Sequence, residues 1–142
     1  MNFKKILVPF DCSDHSVSAS KYALNLAKMF KAQVTIVHCY EWRGNMPEVS
    51  ELVVRDIKEK MKERAKNILK RAKGIFENQE VDYKLEVLAG EPGYELANLA
   101  KSGEFDLIIM GSHGHSDLAG LFLGSVTHKV LNKIYCPVLI VP

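Results

Sequence analysis

The sequence predicts an α/β fold, a doubly wound parallel sheet of five strands flanked by helices. Three observations carry that expectation. Strand-like and helix-like segments alternate along all 142 residues. Two of the strand-like runs, Ile6 to Phe10 and Leu107 to Met110, are apolar without a break, as strands covered on both faces are. Polar or glycine-bearing turns separate strand from helix, so each connection between strands is expected to be a right-handed crossover.

Residues 4–10 read as the first strand and Asp11-Cys12-Ser13-Asp14 as the turn after it. Ser13 or Asp14 is placed to cap a helix with Val17, Tyr22, Ala23, Leu26, Ala27 and Phe30 on its apolar face. The second strand, Gln33 to Tyr40, is rich in Val, Ile and Thr. An irregular segment with Trp42, Gly44 and Pro47 leads into a long helix from about Glu48 to Glu77. Its apolar positions recur every three to four residues, from Val53, Val54 and Ile57 through Met61, Ala65, Ile68 and Leu69 to Ala72 and Phe76. The third strand, Val81 to Leu88, alternates apolar and polar residues as an edge strand does. Gly90-Glu91-Pro92 opens a shorter helix to Lys101, with Pro92 in its first turn. The fourth strand is Asp106 to Met110, the last helix Ser125 to Ile134, and the fifth strand Pro137 to Val141. There is no repeat, linker or low-complexity tract, and residues 1–142 read as a single domain.

Composition narrows the function classes. Hydrophobic content is 47% and a quarter of the residues are charged, ordinary for a globular protein with its own core. No apolar run approaches the roughly 20 residues needed to cross a bilayer, and no signal-peptide pattern opens the chain. Cys12, Cys39 and Cys136 are odd in number and far apart, which suits reduced thiols in a cytoplasmic setting. The net charge of +2 is spread along the chain; its densest basic stretch, Lys58 to Lys73, is interrupted by Glu59 and Glu63. That stretch reads as a solvated helix face, so neither nucleic acid nor membrane is expected as a partner.

The most informative segment is Gly111-Ser112-His113-Gly114, followed nine residues later by Gly124-Ser125. An apolar strand runs into the first glycine and a helix opens at the second pair. Backbone N–H groups at such a place can meet phosphate. No lysine precedes Ser125, so this is not the Walker pattern. The spacing G-x2-G-x9-G-S, together with Ile6-Leu7-Val8-Pro9-Phe10-Asp11-Cys12-Ser13 and Cys136-Pro137-Val138-Leu139-Ile140-Val141-Pro142, resembles the ATP-binding branch of the universal stress protein family. The resemblance reaches both ends of the chain. It implies an adenine-nucleotide alpha-hydrolase-like sheet of order 3-2-1-4-5, with the ligand crevice between strands one and four.

Asp11 ends strand one; it either accepts bonds from both ribose hydroxyls, as the family's matching acid does, or caps the following helix. The resemblance sets Pro9 and Phe10 against the base, gives the Cys39 backbone to adenine, and adds Met110, Ser112, His113, Val126 and Thr127 to the site. Gly111 and Gly114 are expected to supply unusual dihedrals and close backbone approach to phosphates. Gly124-Ser125 offers N–H donors and a hydroxyl, although Ser125 also suits a plain N-cap, and Thr127 either adds a hydroxyl or faces solvent. Trp42 is placed near the base or as a lid contact. Asp117 brings negative charge near the phosphates, and with Ser116 departs from many relatives.

The implied cofactor is ATP, with ADP or AMP as alternatives and Mg or Mn held mainly by phosphate oxygens and water. His113 and His115, with His15 and Asp14, lack the spacing of a protein-held metal site. Ser13-Asp14-His15 is not a catalytic triad, because consecutive side chains diverge and no nucleophile elbow is present. The resemblance further implies a homodimer through the apolar C-terminal strand, an edge that the protein's own loops would otherwise have to cover. The expected function is a nucleotide-dependent regulatory protein of the stress response, acting on an unidentified protein partner. A slow ATP hydrolase or phosphotransferase and a nucleotide-free dimeric scaffold are the alternatives; no Lys or Arg lies in 111–127 to serve the former.

Overall fold

A computed structural model describes every residue except Arg43, Asn45, Ser116, Leu118 and Leu121. The elements run β1 (Lys5–Pro9), α1 (Asp14–Phe30), β2 (Gln33–Tyr40), α2 (Glu51–Phe76), β3 (Tyr83–Ala89), α3 (Pro92–Lys101), β4 (Leu107–Gly111), α4 (Ser125–Leu131) and β5 (Val138–Val141). The five strands form one parallel sheet in the order β3-β2-β1-β4-β5, as the resemblance implied.

Strand alternation divides the core between the two faces of the sheet. Ile6 and Val8 of β1 and Leu107 and Ile109 of β4 pack with α1 and α2 through Ala19, Ala23, Leu69 and Phe76. Leu7, Ile108 and Met110 point the other way, onto Leu96, Ala100 and Val130 of α3 and α4. β3 alternates half-buried and exposed residues, as its place at the edge requires. Among the described residues no helix is long and apolar enough to cross a membrane.

Several expectations are corrected in detail. The face of α1 that meets the sheet is made of small residues, Ser16, Ala19, Ser20, Ala23 and Ala27, while Tyr22 is exposed. Helical spacing of small side chains lets α1 lie close to the sheet, which the apolar stripe alone did not reveal. α2 starts at Glu51, where the Ser50 hydroxyl accepts the Val53 N–H at 3.4 Å. Val53 is exposed, and the fully buried positions of α2 begin only at Ala65, because the first turns lie away from the core. α4 ends at Leu131 rather than Ile134: Lys133 N–H already bonds back to Val130 at 2.9 Å, tightening the chain before it turns to enter β5.

Candidate functional site

Strand order reverses at β1, whose neighbours β2 and β4 belong to opposite halves of the sheet. β1 and β4 are in register only at Ile6–Leu107 and Leu7–Ile108, whereas β1 stays paired with β2 up to Pro9–Val37. Beyond those positions a cleft of about 310 Å³ opens at the carboxyl ends of the strands.

Its first wall is the end of β1. Phe10 is buried, and its N–H donates to Val37 O at 2.8 Å while its carbonyl accepts from His38 Nδ1 at 2.7 Å. Asp11 follows. Its Oδ1 accepts the Ser13 N–H at 2.9 Å and its Oδ2 accepts the His115 N–H at 3.1 Å. Burial pushes the Asp11 carboxyl up, but hydrogen bonds from Ser13, His115 and Ser16 together outweigh it and hold it below its ordinary 3.8. The N-cap of α1 is Ser13, whose hydroxyl accepts the Ser16 N–H at 3.1 Å; Asp11 instead ties the turn to the loop after β4.

The second wall belongs to β2 and α3. Gln33 N–H donates to Lys4 O and Phe10 N–H to Val37 O, whereas Val34 and Tyr40 bond across to the β3 side. By the two-residue alternation of a strand, the Cys39 backbone is directed to the β1 side, past the last residue of β1, and so meets the cleft. Burial, then the Glu95 and Glu91 carboxylates, push the Cys39 thiol up to about 12. All three cysteines are free and half-buried. Leu96 and Pro92 of α3 line this side.

The third wall is the glycine motif. Gly111 closes β4 so tightly against α1 that a Cβ on it would lie 2.6 Å from His15 Cβ and 2.9 Å from the His15 carbonyl carbon. A Cβ on Gly114 would fall 2.6 Å from Asp11 Oδ2. Neither glycine adopts a left-handed backbone; the expectation of unusual dihedrals is corrected to one of close approach alone. The non-glycine Cys12 takes positive φ (66°) instead, in the turn after β1. Gly124 is the N-cap of α4, with no side-chain bond of its own, and its N–H donates to Ser112 O at 2.7 Å. Thr127 is buried and its hydroxyl donates to Gly111 O at 3.0 Å, so it does not face solvent. The Asp117 carboxylate accepts from Gly114 N–H, from Ser125 N–H at 3.1 Å and from Ser125 Oγ at 3.5 Å.

Pro9, Phe10, Asp11, Cys39, Met110, Gly111, His113, Gly114, Val126 and Thr127 thus share one cleft. Ser112, Gly124 and Ser125 are not among its lining residues, and Ser125 is exposed; the Ser112 hydroxyl lies 3.0 Å from His113 Nδ1 and 3.5 Å from His15 Nδ1. Sequence reasoning missed Val37, His38, Ser16, Pro92 and Leu96 as cleft residues. Val37 was within reach, because it faces Pro9 across the parallel pair once the register is known. Trp42 does not line the cleft; Lys58 Nζ lies 5.8 Å from its ring centroid. Ser116 lies outside the described residues. Among the described residues no three His, Cys, Asp or Glu are grouped to hold a metal ion.

Universal stress protein MJ0531 of Methanocaldococcus jannaschii is 36% identical over 139 residues, covering 98% of this chain and 82% of its own. The solved structure of MJ0577 from the same organism superposes with a TM-score of 0.86 at 33% identity, over 99% of this chain and 96% of that one. A universal stress protein solved in complex with cAMP has a TM-score of 0.70 at 27% identity, over 99% and 98% of the two chains. A sequence profile of the Universal stress protein family matches residues 2–142. With its sheet order and its motif segments matching the same pattern, this chain belongs to the universal stress protein family.

Proposed function

We propose that residues 1–142 act as one domain that binds ATP, with ADP or AMP as alternative occupants, and that occupancy regulates its contacts with protein partners in a stress response. The observation that carries this reading is the convergence of an ionised carboxylate, an apolar wall and glycine-bounded N–H groups on one cleft. The relative solved with cAMP supports the ligand class.

The residues fit an adenine nucleotide. Phe10, Val37 and Leu96 provide apolar surface for a base, and the Cys39 backbone faces the same space. Asp11 keeps a charge available for ribose hydroxyls. Side chains on Gly114 or Gly124 would run into the Asp11 or Asp117 carboxylates, so glycine is what lets these backbones lie this close to the two acids. Thr127 spends its hydroxyl proton on Gly111 and so holds the loop rather than donating outward. When bound, the nucleotide would bring its own Mg or Mn, held mainly by phosphate oxygens and water.

The half-buried residues of β5, Val138, Leu139 and Ile140, lie at a sheet edge and support a homodimer joined there. Three free cysteines suit a cytoplasmic location. The test is calorimetric titration of nucleotide-stripped protein with Mg-ATP. Saturable binding near one ATP per chain is expected. No heat at millimolar ATP, repeated at a second temperature, overturns the reading.

A further inference from the structure

Within the cleft, the side chain of Asp117 carries an unusual set of partners. Its Oδ2 accepts the Gly114 N–H, and its Oδ1 accepts both the N–H and the hydroxyl of Ser125. These groups belong to the two halves of the G-x2-G-x9-G-S motif, and Asp117 itself lines the cleft beside Asp11. A Cβ on Gly124 would lie 2.8 Å from Asp117 Cγ, so the carboxylate fills the space that the second glycine leaves open. Residues 111–127 contain no Lys or Arg to offset it.

An anion entering this space therefore meets donors that are already engaged, and two carboxylates of like charge, Asp11 and Asp117. An uncharged nucleoside needs neither the donors nor the space. We propose that Asp117 is a specificity-determining residue: its carboxylate competes with ligand phosphate for the Gly114 and Ser125 donors. Phosphorylated ligands bind by displacing it, and the cleft discounts their phosphates relative to the nucleoside. This rests on the adenine-nucleotide reading, which it deepens by naming the residue that ranks the ligands.

The experiment compares the native protein with Asp117→Asn and Asp117→Ala by calorimetry in EDTA, using adenosine, AMP, ATP and inorganic tripolyphosphate. Asp117→Asn removes the charge at constant shape; Asp117→Ala removes the competing acceptor as well. Both variants are expected to tighten AMP and ATP by about tenfold or more, the scale of one charged hydrogen bond, while adenosine stays within about threefold. If adenosine binds and neither variant favours the phosphorylated ligands over it, the role of Asp117 is overturned and the nucleotide reading stands. If no adenine compound binds any of the three proteins, the nucleotide reading fails and tripolyphosphate decides the rest. Tighter tripolyphosphate binding by the variants upholds Asp117 as the competitor, and no gain overturns it.

Discussion

The carboxylate of Asp11 holds the N–H of His115 at 3.1 Å, joining the turn after β1 to the loop after β4 across the opening of the sheet. Two segments more than a hundred residues apart in sequence are thus fastened at the mouth of the cleft, on the residue expected to meet ribose. On the proposed function, one side chain then serves both fold and binding.

Asp11→Asn should weaken ATP by about ten- to hundredfold, the loss of charge-assisted bonds, as read by calorimetry. The same change should lower stability in a pH-dependent way. Because the folded carboxyl sits below its ordinary 3.8, its contribution is present in full above that value and is lost as pH falls through the lowered folded value. Urea melts of native and variant protein should differ at pH 7 and converge in strong acid. A gap that persists in acid would assign the effect to shape rather than charge.

Gly111→Ala should destabilise the protein by about 1–3 kcal/mol, the usual cost of forcing extra volume into a packed place. The added Cβ would meet the His15 backbone, which cannot rotate aside as a side-chain tip can. A urea midpoint equal to that of the native protein would mean that α1 and the end of β4 separate without cost.

Cys39→Ala should leave ATP affinity within about threefold, since the proposed contact with adenine is made by the main chain there. In the native protein the Cys39 thiol, pushed up to about 12 by burial and by Glu95 and Glu91, should resist iodoacetamide at pH 8. Peptide mass spectrometry reads the outcome. Alkylation as fast as in urea would show an open thiol, and a large loss of affinity would give the side chain a role.

Ile140→Pro tests the proposed dimer. Ile108 N–H bonds to Pro137 O and Ser112 N–H to Val141 O, so by alternation Val138 and Ile140 direct their backbones to the free edge. The variant should keep its helical circular dichroism while light scattering falls from two chains to one. A monomeric native protein would overturn the dimer, and a variant that stays dimeric would move the contact elsewhere.

Much of this protein is legible in order along the chain. Unbroken apolar runs announced β1 and β4, Pro92 opened α3 where expected, and the alternation of β3 marked it as an edge. These features depend on neighbours a few residues away, which is the range over which periodicity and capping act. The spacing of the glycines likewise pointed to the place where the structure opens its cleft.

Other properties were decided only by contacts between distant segments. The burial of small residues on α1 and the exposure of Tyr22 depend on how closely the helix meets the sheet. Val37 and Leu96 became cleft walls through strand register and helix placement. Gly111 and Gly114 turned out to be demanded by the approach of His15 and Asp11, not by their own dihedrals. Asp117 reads from sequence as one more negative charge; only folding brings its carboxylate onto Gly114 and Ser125. Local sequence determined which elements form, because backbone propensity is short-ranged. Tertiary structure decided which atoms compete for the same donors, because that is a matter of distances in space.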